Sequence, residues 1–131
     1  MNPLENVAIG MTGSEAVLVV RELTVAHHKA GMPEVYGTPM MIYLMEVACA
    51  NAIHPLLPDG WISVGAEVHV RHLAATPVGR TVTASAHVMA IEGKSVSFAI
   101  TAHDGVRQIG AGTHVRGVVN LARFTQRLEP G

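Results

Sequence analysis

The run Thr38-Pro-Met-Met-Ile-Tyr-Leu-Met-Glu-Val-Ala-Cys-Ala-Asn-Ala-Ile53 decides how this chain folds. A threonine followed by Pro39 places an N-cap residue before a proline at the first helical position. Met40, Met41, Leu44, Met45, Ala48, Ala52 and Ile53 make most of the helix surface apolar, and Pro55 and Pro58 stop it. A helix is therefore expected from Thr38 or Pro39 to about Leu57. Because it is apolar nearly all round, it must be buried on most sides.

Working outward, Ser14 to Val25 (SEAVLVVRELTV) is rich in β-branched residues and predicts a strand. His27 to Val35 contains Gly31 and Pro33 and predicts a loop. Beyond the helix the period changes to that of strands: Trp61 to Ala75, Arg80 to Ile91, Ser95 to His103 and Val106 to Leu121. They are separated at Thr76-Pro77-Val78-Gly79, at Glu92-Gly93-Lys94 and at Asp104-Gly105, the last a strong hairpin signal. Breaks this short predict a four-stranded antiparallel meander. One buried helix after a first strand, then four strands, is an α+β arrangement in which a curved antiparallel sheet of about five strands wraps a long central helix. That is the hotdog layout, here a single domain over residues 1–131, and Ala48, Ala50 and Ala52 let the sheet approach the helix closely.

Composition adds a partner. Hydrophobic residues make up 49% of the chain and charged residues only 15%, well under the roughly 25% usual for soluble domains. A chain this small exposes much of its surface, so scarce charge points to a second copy covering some of it. The open edges of a five-stranded sheet offer the place, and a homodimer is expected. The formal net charge of -1 advertises neither nucleic acid nor a membrane surface. Locally, Arg71, Arg80, Lys94, Arg107 and Arg116 are candidates for meeting a phosphate group. The single cysteine, Cys49, suits a reducing, cytoplasmic setting. Met1 to Val20 does not have the pattern of a signal peptide, and Met40 to Ile53 is too short to span a bilayer.

Among residues able to do chemistry, Glu46 stands out, since nearly every neighbour in MMIYLMEVACANAI is apolar. A buried carboxylate needs a specific partner or a raised pKa. Asn51, the other clearly polar residue there, stands about 140° away round the helix, so the two do not form one solvated stripe. Eight histidines invite a metal site, but spacing opposes one: His69 and His72 point to opposite faces of a strand. No metal and no cofactor is expected. His72, at a strand end before Leu73-Ala74-Ala75-Thr76-Pro77, is placed to serve as a base near neutral pH. Thr38 sits where unpaired backbone N–H groups favour developing negative charge. Cys49 predicts a buried structural thiol, and Gly110 with Gly112 a bulge or close backbone contact.

The run Pro33-Glu34-Val35-Tyr36-Gly37-Thr38, then Leu44-Met45-Glu46, then His72 with Ala74-Ala75-Thr76-Pro77, resembles the fluoroacetyl-CoA thioesterase-like family of hotdog proteins. Ala102-His103-Asp104-Gly105 and Ile109-Gly110-Ala111-Gly112-Thr113-His114 continue the resemblance, which covers about Met32 to Leu121. It implies an acyl-CoA thioester hydrolase, dimeric, with active sites at the subunit interface. Thr38, Glu46 and His72 match the positions of the family's catalytic threonine, glutamate and histidine, and Gly65 that of a glycine near the thioester carbonyl. Tyr36 and Met32 fall where the acyl group binds. Met32 replaces an aromatic lid residue of the family's namesake, so a differently gated acyl pocket is expected and fluoroacetyl specificity is not.

On this reading Glu46 is nucleophile or orients water, His72 moves the proton, and Thr38 with a Gly65 N–H steadies the oxyanion. Thr38 as the nucleophile, activated by His72, is the competing assignment. Thr38 and Glu46 lie eight residues apart, a rise of about 12 Å on one helix, so either the chain bends or two subunits share the site. A hotdog hydratase or dehydratase, and a non-catalytic acyl-CoA or small-ligand binding protein, are the alternative functions.

Overall fold

A computed structural model describes residues 1–131. In chain order it contains β1 (Thr12–Leu18), the short helix α1 (Val25–His28), the central helix α2 (Thr38–Ile53), β2 (Trp61–His72), β3 (Thr81–Glu92), β4 (Ser95–His103), β5 (Gln108–Asn120) and α3 (Leu121–Gln126). The five strands form one antiparallel sheet in the order β1-β3-β4-β5-β2. Helix α2 lies on that sheet with Met41, Leu44, Met45, Ala48, Cys49, Ala52 and Ile53 buried. Alternate residues of β3 and β4 meet it: Val82, Ala84, Ala86 and Val88, then Val96, Phe98, Ile100 and Ala102. The expected helix wrapped by a curved sheet is what forms.

Small residues set how closely the layers pack. A side chain at Gly13 would run into the backbone of Ala48 and Ala52, and one at Gly110 would lie 2.7 Å from Met41 Sδ and 2.8 Å from Met45 Cε. At Gly112 a side chain would run into the backbone of His69 and Val70, the close backbone contact expected of the Gly110–Gly112 pair.

Three expectations need correction. The first strand stops at Leu18, because Arg21–Leu23 forms a helical turn and α1 follows. Second, β2 does not pair with β3; it pairs with β5 at the far edge, so only β3, β4 and β5 form a meander. The reason is the connection. Leu73 to Arg80 is no tight turn but a span past the ends of β5 and β4, anchored where Thr76 Oγ1 and Arg80 Nη1 each donate at 2.9 Å to Asp104 Oδ2. Third, the N-cap of α2 is Gly37 and not Thr38. The Gly37 carbonyl accepts from Met40 and Met41, which frees the Thr38 hydroxyl for another partner. No helix is long and apolar enough to cross a membrane.

Candidate active site

Two clusters of polar side chains flank α2. The first stands at its N-terminus. The chain enters the helix through Tyr36, whose N–H donates to the Thr76 carbonyl, and Gly37, whose N–H donates to that of Leu23. Tyr36 itself is buried and its hydroxyl donates to the Met40 carbonyl at 3.1 Å. Burial pushes the Tyr36 phenol up to about 12. With this entry fixed, Thr38 Oγ1 lies 2.7 Å from His72 Nδ1. Burial, only partly opposed by the Ala74 backbone, holds the His72 pKa below its ordinary value. In this bond neutral His72 either accepts from the hydroxyl or donates to it, according to which ring nitrogen carries its proton. Its Nε2 is buried with no partner in the chain, an exception among buried polar atoms that marks a place where function is to be sought.

The second cluster surrounds Glu46, two turns along the helix. Its carboxylate lies 3.7 Å from both Arg116 Nη1 and His114 Nε2. Both come from β5, two residues apart and so on the same face, and the expectation that Glu46 has a specific partner is met. Arg116, suggested above as a phosphate ligand, is instead buried against this carboxylate. Its Nε and Nη2 donate to Ser63 Oγ and the Ser63 carbonyl at 2.8 and 2.9 Å. His114 is 1% exposed, and its Nδ1–H donates to the Glu67 carbonyl at 2.7 Å. That leaves Nε2 to accept from Arg116 Nη1 at 3.2 Å. Burial is the main reason its pKa is lowered; the positive charge of Arg116 adds to this, while the Glu67 carbonyl and Glu46 oppose it.

The bulge that shifts the β2 register between Gly65 and Glu67 sits beside this cluster. A Cβ at Gly65 would come 2.5 Å from Glu46 Oε1, so only glycine lets the strand pass this close to the carboxylate. Sequence reasoning assigned nothing to His114 and gave Arg116 a different task. The available signal was their alternation, His114-Val115-Arg116, on a strand directly opposite Gly65.

The two clusters do not touch within one chain: Thr38 and His72 bond each other, whereas Glu46 reaches only β5 residues. Met32 is 44% exposed and, with Val25, His28, Gly37, Pro39 and Met40, lines an apolar cavity of about 270 Å³ beside Thr38. Cys49 is buried, and burial, the largest effect, raises its thiol to about 12, which makes it a poor nucleophile.

Residues 19–122 match the family model described as fluoroacetyl-CoA-specific thioesterase. The chain is 46% identical over 99 residues to the fluoroacetyl-CoA thioesterase of Streptantibioticus cattleyicolor, covering 76% of this chain and 71% of that protein. A solved fluoroacetyl-CoA thioesterase structure superposes with a TM-score of 0.86 at 39% identity, over 93% of this chain and 98% of that one. A thioesterase superfamily member from Thermus thermophilus superposes at 0.87 with 27% identity, over 93% and 90% of the two chains. With its hotdog sheet, central helix and matched core, this chain belongs to the fluoroacetyl-CoA-specific thioesterase family.

Proposed function

We propose that this protein hydrolyses the thioester of a small acyl-CoA, releasing the free acid and CoA, at sites shared between two copies of the chain. The observation that carries the reading is the 2.7 Å bond between Thr38 Oγ1 and His72 Nδ1 beside an apolar cavity sized for a short acyl group. The missing piece is a carboxylate, which Glu46 supplies only if it comes from a second subunit. β2 favours such an assembly. It is a twelve-residue edge strand whose outer rim of backbone groups is unpaired in the chain, and Val68 on it is 41% exposed. Pairing two β2 edges about a two-fold axis brings the Gly65 end of one strand toward the His72 end of the other.

In the mechanism, the Glu46 carboxylate orients water at the thioester carbonyl, and neutral His72 takes a proton from that water at Nε2. With His72 Nδ1–H donating to its oxygen, the Thr38 hydroxyl turns its proton to the oxyanion, which it stabilises together with the Gly65 N–H. A C–O bond forms as His72 gains the water proton, the C–S bond breaks, and the imidazolium returns that same proton to the departing thiolate. Arg116 and His114 position the carboxylate without contacting substrate. The short Thr38–His72 bond also favours a second reading, in which His72 activates Thr38 as nucleophile. Trapping an acyl-threonine by mass spectrometry would select that reading. Met32 lines the acyl pocket, Tyr36 supports it from beneath through its bond to the Met40 carbonyl, and the single buried cysteine suits a reducing cytoplasm.

The test is thiol release from acetyl-, haloacetyl-, propionyl-, hexanoyl- and aryl-CoA. Release on one or more of these, lost in His72→Ala, supports hydrolysis. Saturable CoA-ester binding without release would favour a binding protein, and water addition to an enoyl-CoA without thiol release a hydratase.

A further inference from the structure

A third polar region lies away from both clusters, where the end of β5 and the start of β2 meet α3. Trp61 stands there between two cations: Lys94 Nζ is 5.3 Å and the Arg123 guanidinium carbon 5.9 Å from its ring centroid. With Asn120, Phe124 and Arg127 they line a cavity of about 250 Å³. Lys94, Arg123 and Arg127 are exposed, and none forms an ion pair within the chain. Asp59, Glu92 and Glu129, the carboxylates nearest in sequence, neutralise none of them.

The region is held in place by its own bonds. The Lys94 carbonyl accepts from Val118 N–H at 2.8 Å, pinning the β3–β4 turn to β5. Asn120 Oδ1 accepts from Arg123 N–H at 3.1 Å, and Leu121 N–H donates to the Gly60 carbonyl, so the first turn of α3 is fixed over Trp61. Three unpaired cations around two aromatic rings are the chemistry that holds phosphates and stacks a base.

Position connects this cavity to the thioester. Trp61 and Ser63 share one face of β2, and Ser63 holds the Arg116 that faces Glu46. Trp61 thus stands on the same face of the sheet as the Glu46 cluster, about 13 Å along β2 from Gly65. An extended pantetheine arm covers that span.

We propose that the Trp61–Lys94–Arg123–Phe124–Arg127 cavity binds the phosphorylated adenosine end of the CoA thioester. The assignment rests on the thioesterase reading for its substrate, but its test does not require turnover. Binding of desulfo-CoA, which has no thiol, is measured by calorimetry for the wild type, Lys94→Glu, Arg123→Glu and the milder Phe124→Ala. The charge reversals are expected to raise Kd about tenfold or more, and wild-type affinity is expected to fall steeply with salt. Hydrolysis of the matching acyl-N-acetylcysteamine thioester, which lacks the nucleotide, is expected to be unchanged in all three variants. Unaltered Kd in the charge-reversed proteins, or no desulfo-CoA binding by the wild type, would overturn the assignment. So would tighter binding of ATP than of desulfo-CoA, which would make this a free-nucleotide site. If the wild type cleaves neither thioester yet binds desulfo-CoA through these cations, the hydrolysis reading fails and the nucleotide site stands.

Discussion

At the first turn of α2, Thr38 is set by a web of loop contacts running through Tyr36, Thr76 and Asp104, whereas Glu46, two turns on, is held by two β5 side chains packed over a glycine. The first half-site is a product of connections and the second a product of the sheet. Asp104 is the hub of the first. Its buried carboxylate accepts from Thr76, Arg80 and the N–H groups of Val106 and Arg107, each at 2.9 Å. The difference teaches that the two halves fail in separate ways: one through the loops beneath it, the other through removal of a single charge.

The largest effect is expected at the sheet-held half. Glu46→Gln keeps the shape and removes the negative charge, and should lower kcat about a thousandfold while leaving the dimer intact by light scattering. Retained turnover would strip Glu46 of its role. In the loop-held half, His72→Ala should cost about a hundredfold in kcat/KM. Because burial lowers the His72 pKa and the base acts unprotonated, the acid limb of the wild-type pH profile should fall below about 6.5. A limb above that value would point to another base.

A third effect falls on stability. Burial alone would raise the Asp104 pKa, but the Arg107 and Val106 N–H groups, Arg80 and Thr76 together hold it well below the usual carboxylate range. Stability from this group is therefore fully present above about pH 4 and drains away as pH falls below it. Asp104→Asn should cost about 3 kcal/mol in urea unfolding at pH 7 and much less near pH 2. An equal loss at both pH values would show that its charge is not what counts. The smallest effect is expected at Met32, on the rim of the apolar cavity. Met32→Phe should shift the ratio of kcat/KM between short and longer acyl-CoAs by about tenfold or less, with stability unchanged.

Much of this was legible in the sequence, for identifiable reasons. The α2 run carries its own start and stop signals, and the alternation of β3 and β4 marks their inner faces. The pairing of Glu46 with a partner followed from the cost of burying a lone carboxylate. The partners themselves did not follow. Arg116 and His114 lie far along the chain, and only the β2–β5 register brings Arg116 opposite Gly65 and His114 opposite Val68. Likewise Asp104-Gly105 reads as a hairpin turn; that the aspartate also anchors the β2–β3 connection depends on β2 lying at the far edge, which local breaks do not encode. Thr38 looked like a cap because threonine before proline usually is one. Its hydroxyl turned to His72 once Gly37 took the capping position.

The most direct test of a site shared between subunits is thiol release from mixed dimers. Thr38→Ala and Glu46→Gln proteins, each inactive alone, are unfolded together and refolded in equal amounts. If the halves come from different chains, each mixed dimer holds one intact site, and about a quarter of the wild-type rate returns. If Thr38 and Glu46 act within one chain, no mixture contains an intact site, and activity that stays at the level of the separate variants would contradict the account.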